Sequence, residues 1–170
     1  MYKLIVLFFE IAILRKGPQD VPASPWMLRL IIPVYVGINI LILLLNEVSS
    51  TALLQIAVDF ILLVGFTWPL LYFSGKLPRF QQTLCALLGS DAVISFFAIP
   101  AVASLNANAA TDISLFAMLG LMIWHWLVSG HIFRHALDKP LFFGLGLSLL
   151  YILITSQVMA LLFPVVSSHS

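Results

Sequence analysis

The sequence predicts an all-α, polytopic membrane protein: five transmembrane helices plus a short amino-terminal interfacial helix, with the amino end inside and the carboxyl end outside. Three observations carry this expectation. The 170 residues are 62% hydrophobic and only 9% charged, whereas an ordinary soluble domain carries about 25% charged residues. Too few charged side chains remain to cover the surface of a water-soluble fold. Apolar runs at 28–46, 52–73, 83–104, 113–133 and 140–163 approach or exceed the length of about 20 residues that a helix needs to cross hydrocarbon. Finally, the eight Lys and Arg residues fall on one side of the resulting membrane. Lys3, Arg15, Lys16 and Arg29 precede or open the first span, Lys76 and Arg79 lie between the second and third, and Arg134 and Lys139 between the fourth and fifth. Short loops rich in Lys and Arg stay cytoplasmic, so these loops mark the inner face.

Residues 1–27 are expected to form the interfacial helix and a Pro-rich connector. The stretch 4–14 (LIVLFFEIAIL) is too short to span, and Glu10 interrupts it. It reads as a helix lying at the cytoplasmic face or wedged shallowly against the bundle. It is not expected to be a cleavable signal, because RKGPQDVPASP follows without a clean small-x-small cleavage pattern. That connector is rich in turn-forming residues. Within it Arg15, Lys16, Gln19 and Asp20 are candidate contacts for a cytoplasmic partner, as are Lys76 and Arg79 of the SGKLPRFQQ loop.

Residues 28–163 form the five-helix membrane domain. The first span carries Pro33, Tyr35 and Asn39 and is joined to the second by a short connection, which makes the two a tight antiparallel pair. The second carries Asp59 and ends with Trp68 and Tyr72, aromatic rings suited to a membrane–water boundary. The third carries Gly89, Ser90, Asp91, Ser95 and Pro100, and LNANAATD leads to the fourth, which ends in WHWLVSGHIFRHALDK. The fifth opens at Pro140, a good first-turn residue, and carries Gly144, Gly146, Ser148 and Gln157. Residues 164–170 are a short outer tail.

Ionisable groups inside hydrocarbon are costly unless paired or wetted, so each needs a reason. Counting from the predicted boundaries places Asn39, Asp59 and Gln157 at one level, about 10 Å inside the outer boundary at helical rise. Neutral amides there could donate hydrogen bonds to Asp59. Asp91 and His125 form a second level nearer the cytoplasm, where an Asp–His pair would be the natural way to bury both. The two levels differ by roughly 9 Å, too far for an aspartyl dyad. These residues read as interhelical packing bonds, as a proton or ion path, or as a site completed by another subunit.

His131 and His135 are spaced i,i+4 with Asp138 three further on. A continuing helix would put all three on one face, a weak candidate metal site opposed by Arg134 and Lys139 beside it. No metal and no other cofactor is expected. The single cysteine, Cys85, reads as a small buried apolar residue. A net charge of +1 argues against a nucleic-acid surface, and no nucleophile motif or phosphate loop appears.

The five spans, the inside amino end, the short outer tail and the stretch Arg15-Lys16-Gly17-Pro18-Gln19-Asp20 with Pro22 and Ser24 resemble the YIP (Ypt-interacting-protein-like) family in its small bacterial inner-membrane form. The resemblance implies no catalytic residue. The expected function is a non-enzymatic accessory or scaffold subunit of a bacterial inner membrane. It would contact the lipid bilayer and pack against a membrane-protein partner or a second copy of itself. The alternative is a small proton- or ion-coupled transporter or channel using Asp59, Asp91 and His125.

Overall fold

Helices form where apolar runs are long enough to satisfy every backbone group internally. The computed structural model describes residues 2–45, 51–106 and 112–164. The helices are α1 (Tyr2–Ala12), α2 (Pro25–Leu45), α3 (Ala52–Phe73), α4 (Phe80–Asn106), α5 (Asp112–Leu137) and α6 (Leu141–Leu162). Single 3-10 turns at Pro18–Asp20 and Leu77–Arg79 lead into α2 and α4. No strand occurs among the described residues. The five helices from α2 onward are long and apolar enough to cross a membrane, and the chain is a multi-pass membrane protein. Pro33, Pro69 and Pro100 lie inside α2, α3 and α4, where neighbouring helices can re-satisfy the carbonyls that a proline frees. Most of the LNANAATD connection and of the 164–170 tail falls outside the described residues.

Three helices on the side of the basic loops end in the same closure. After α3, Gly75 takes φ +67°, its N–H reaching Tyr72 O at 3.0 Å while Lys76 N–H reaches Leu71 O at 2.8 Å. Leu14 after α1 and Asp138 after α5 adopt the same left-handed backbone, at φ +63° and +54°. Arg15 N–H then reaches Glu10 O, and Lys139 N–H reaches Arg134 O, both at 2.9 Å. This six-to-one bond satisfies a carbonyl that the helix end leaves orphaned. The closure stops α5 at Leu137, so the helix does not carry on to Asp138.

α1 is the expected short amino-terminal helix, and of the two expected placements it takes the one against the bundle. It packs along α4. Leu7, Phe8, Ile11 and Ala12 are buried. Leu4 and Phe8 share an apolar groove of about 650 Å³ with Ile38 of α2 and Phe96 and Phe97 of α4. At 1.5 Å per residue its eleven residues extend about 16 Å, roughly half of a hydrocarbon core of about 30 Å. Its start therefore reaches the middle of the bundle, and Lys3 is carried away from the other seven cations. The close approach depends on Gly89, because any side chain there would collide with the Phe8 ring.

α5 and α6 meet as closely. A methyl on Gly144 would strike the carbonyl of Gly130 and the backbone nitrogen of Arg134. Small residues let helix backbones approach where lipid supplies no hydrophobic drive. Trp126 Nε1 donates to Leu145 O at 3.0 Å, and Ser148 Oγ donates to Trp126 O at 3.1 Å. Packing is uneven along the bundle. The buried residues of α2 end at Tyr35 and those of α6 at Tyr151, while most of α5's lie from Val128 onward. Among the described residues, the half bearing the basic loops (hereafter the basic end) is the more densely buried of the two.

Candidate functional site

Where the dense burial ends, five helices surround a polar cavity of about 330 Å³. Each contributes residues at helical spacing, which brings side chains three or four apart onto one face. α2 supplies Tyr35 and Asn39, α3 supplies Asp59 and Leu63, and α4 supplies Leu87, Asp91 and Ser95. α5 supplies His125 and Ser129, and α6 supplies Tyr151, Ile152, Thr155 and Ser156.

Each carboxyl group has its own partner. The Tyr35 hydroxyl donates to Asp59 Oδ2 at 2.6 Å. His125 Nδ1 lies 3.2 Å from Asp91 Oδ1, with side-chain exposures of 31% for the histidine and 23% for the aspartate. Neither group is sealed in, so both open onto the cavity. The expected Asp91–His125 pair is present. Asp59 lines the same cavity as Asp91 and His125, so the two expected levels share one space. α4 begins at Phe80 and α5 runs to Leu137, a few residues beyond the predicted span ends.

Two further expectations need correcting. Asn39 Nδ2 donates to Tyr35 O one turn back at 2.9 Å, so the donor to Asp59 is a phenol rather than an amide. Gln157 is exposed on the outside of α6 and does not line the cavity; Thr155 and Ser156 do. Sequence reasoning named Tyr35 and Ser95 in their spans without assigning them to the site, and did not assign Tyr151, Ser129, Thr155 or Ser156 to it. The available signal was i,i+4 spacing, of Tyr35 to Asn39, Ser95 to Asp91, Ser129 to His125 and Tyr151 to Thr155.

The run Trp124-His125-Trp126 explains how α5 holds this site. Successive helical residues point about 100° apart, so three neighbouring side chains serve three neighbouring helices. Trp124 Nε1 donates to Ala12 O of α1 at 2.7 Å, His125 meets Asp91 of α4, and Trp126 meets α6.

At the basic end, His131, His135 and Asp138 do not converge. The two imidazoles are in edge contact, with ring centroids 4.5 Å apart, and His131 Nε2 donates to Lys16 O at 3.1 Å. Asp138 instead binds Lys76 Nζ at 2.6 Å and Arg79 Nη1 at 2.9 Å. Those two cations hold its carboxyl well below the usual range, at about 2. Among the described residues no group of three His, Cys, Asp or Glu side chains could hold a metal ion.

Most of the expected partner-contact residues are engaged within the chain. Arg79 also reaches the carbonyls of His135 and Ala136 at the end of α5. Lys16 pairs with Glu10 at 2.7 Å, and that carboxylate raises the lysine's pKa. Asp20 Oδ2 accepts the Gly17 N–H at 2.9 Å, while Arg15 and Gln19 are exposed.

Compared with protein-family models, with curated proteins and with solved structures, the chain matches none.

Proposed function

We propose that this is a small proton- or ion-coupled transporter or channel of a bacterial inner membrane, working through Asp59, Asp91 and His125, with the basic loops on the cytoplasmic face. The observation that carries this reading is convergence: five helices each place polar groups around one cavity at membrane depth. Polar groups kept only for packing need no shared open space, whereas these pairs line one cavity. Intramembrane Asp and His residues facing a cavity are the groups from which proton relays and ion sites are built. Asp59 can take up a proton as a carboxylate and release it as a carboxylic acid. The Asp91–His125 pair can hold one proton between its two members.

Reconstitution into proteoliposomes tests this. The wild-type chain should dissipate an imposed pH or cation gradient, and Asp59→Asn or Asp91→Asn should abolish that flux while the protein still elutes as a single folded species. Flux unchanged by both substitutions would remove the proposal.

A second reading, the non-enzymatic accessory or scaffold subunit, is favoured by one observation. Gly65, Gly120 and Gly146 are exposed, with nothing near the position a side chain would take. These are faces where a helix of a partner, or of a second copy, could approach closely. Extraction of native membranes in mild detergent distinguishes this reading, which requires a stoichiometric partner or a homo-oligomer.

A further inference from the structure

We infer that the cavity takes a small organic ammonium ion rather than a bare inorganic cation. This rests on reading the cavity as a transport site, and it names the substrate class for that site.

Charge gives the sign. The lining contains two carboxyl groups and one imidazole and no Lys or Arg. When His125 is protonated against Asp91, Asp59 remains as one carboxylate to be neutralised, which matches a monocation. An anion would find no cationic side chain in the lining to receive it.

Size separates an organic ion from a bare one. A desolvated metal cation sits among oxygens about 2.0–2.6 Å away and leaves no open volume. The cavity's 330 Å³ instead falls at the lower end of the range of about 300–1,000 Å³ typical of organic ligand sites.

The chemistry of the walls agrees. The lining also includes Tyr35 and Tyr151 and the aliphatic residues Leu63, Leu87 and Ile152. Aromatic faces attract a quaternary or alkyl ammonium group, and aliphatic walls suit its carbon substituents. A hydrated sodium or potassium ion gains nothing from those walls, because its water shell needs hydrogen-bonding partners in every direction. A proton released from Asp59 as the ammonium ion arrives keeps the site's charge constant.

Calorimetric titration of the full chain in nanodiscs with tetraethylammonium chloride tests the inference, with NaCl and KCl as controls. Saturable binding of tetraethylammonium is expected, undiminished by sodium or potassium at equal ionic strength. Asp59→Asn should weaken it at least about tenfold. Tyr151→Leu should weaken it several-fold while Tyr151→Phe retains it, as expected of an attraction to the ring face rather than the hydroxyl. The tyrosine pair decides the matter even where the aspartate variant does not fold. Proton or inorganic-cation flux that depends on Asp59 and Asp91, without tetraethylammonium binding, overturns this inference and leaves the transport reading standing. Absence of both binding and flux overturns the two together.

Discussion

Tyr35 and Asp59 tie α2 to α3 at the cavity, the phenol donating to Oδ2 at 2.6 Å. Tyr35 is one of the largest fully buried side chains in the molecule. A hydrogen bond to a charged group is worth about 1.5–3 kcal/mol. Tyr35→Phe should lower stability by about that amount. In a double-mutant cycle with Asp59→Ala, the two losses should be clearly non-additive. Additive losses, measured by thermal unfolding in detergent, would show that the bond does not couple the helices.

The seat of α1 should depend on Gly89. Gly89→Ala places a methyl inside the Phe8 ring and should lift α1 away from α4, at a cost of about 1–3 kcal/mol as for other overpacked sites. Because the obstacle is a side chain, Phe8→Ala in the same chain should restore docking. A thiol-specific label on Lys3→Cys reports the seat. Labelling should rise in Gly89→Ala and fall back in the double variant.

Gly144 offers no such escape, since a methyl there meets the Gly130 carbonyl and the Arg134 backbone. Gly144→Ala should destabilise by about 3 kcal/mol or more, above the usual overpacking range because the backbone itself must move. Gly146→Ala, two residues on and with open space around it, should change stability by no more than about 0.5 kcal/mol. Similar melting temperatures for the two variants would contradict the described α5–α6 crossing.

The clamp of Lys76 and Arg79 on Asp138 should be pH-dependent in one direction only. The carboxyl's pKa is lowered from 3.8 to about 2 in the folded chain. Its stabilisation is therefore fully present above the unfolded value and is lost as the pH falls toward 2. Wild type should be more stable than Asp138→Asn at pH 7, and the gap should close between about pH 4 and pH 2. The side chain is exposed, so the gap should be small and should shrink in high salt. A constant gap across that window would assign the effect to backbone conformation at residue 138 instead.

Hydropathy alone made the five spans legible, because hydrocarbon requires long apolar helices and tolerates little else. The same criterion could not place α1. A short, mostly apolar helix of eleven residues satisfies a surface position and a seat against the bundle equally well, and what permits the seat is a missing side chain on another helix, at Gly89. The Asp91–His125 pair was readable because two ionisable groups at matching depth need each other. Its union with Asp59 was not. Span ends were placed where hydropathy fades, yet α4 and α5 continue to Phe80 and Leu137 through polar residues that the basic loops and Asp138 accommodate. Tyr35 and Tyr151 were not assignable to the site because tyrosine in a span reads as packing until a carboxylate or a cavity is seen beside it.

The three-way engagement of Trp124, His125 and Trp126 leaves α5 no rotational slack. Losing or gaining one residue in this helix turns everything beyond it by about 100°. Between Asp112 and Trp124 such a change would alter only the half with little to misalign. Between His125 and Leu137 it would aim the imidazole away from Asp91 or part Gly130 from Gly144. Among descendants of this chain, length variation should therefore accumulate at the less buried end of the fourth crossing and be purged from its densely buried end.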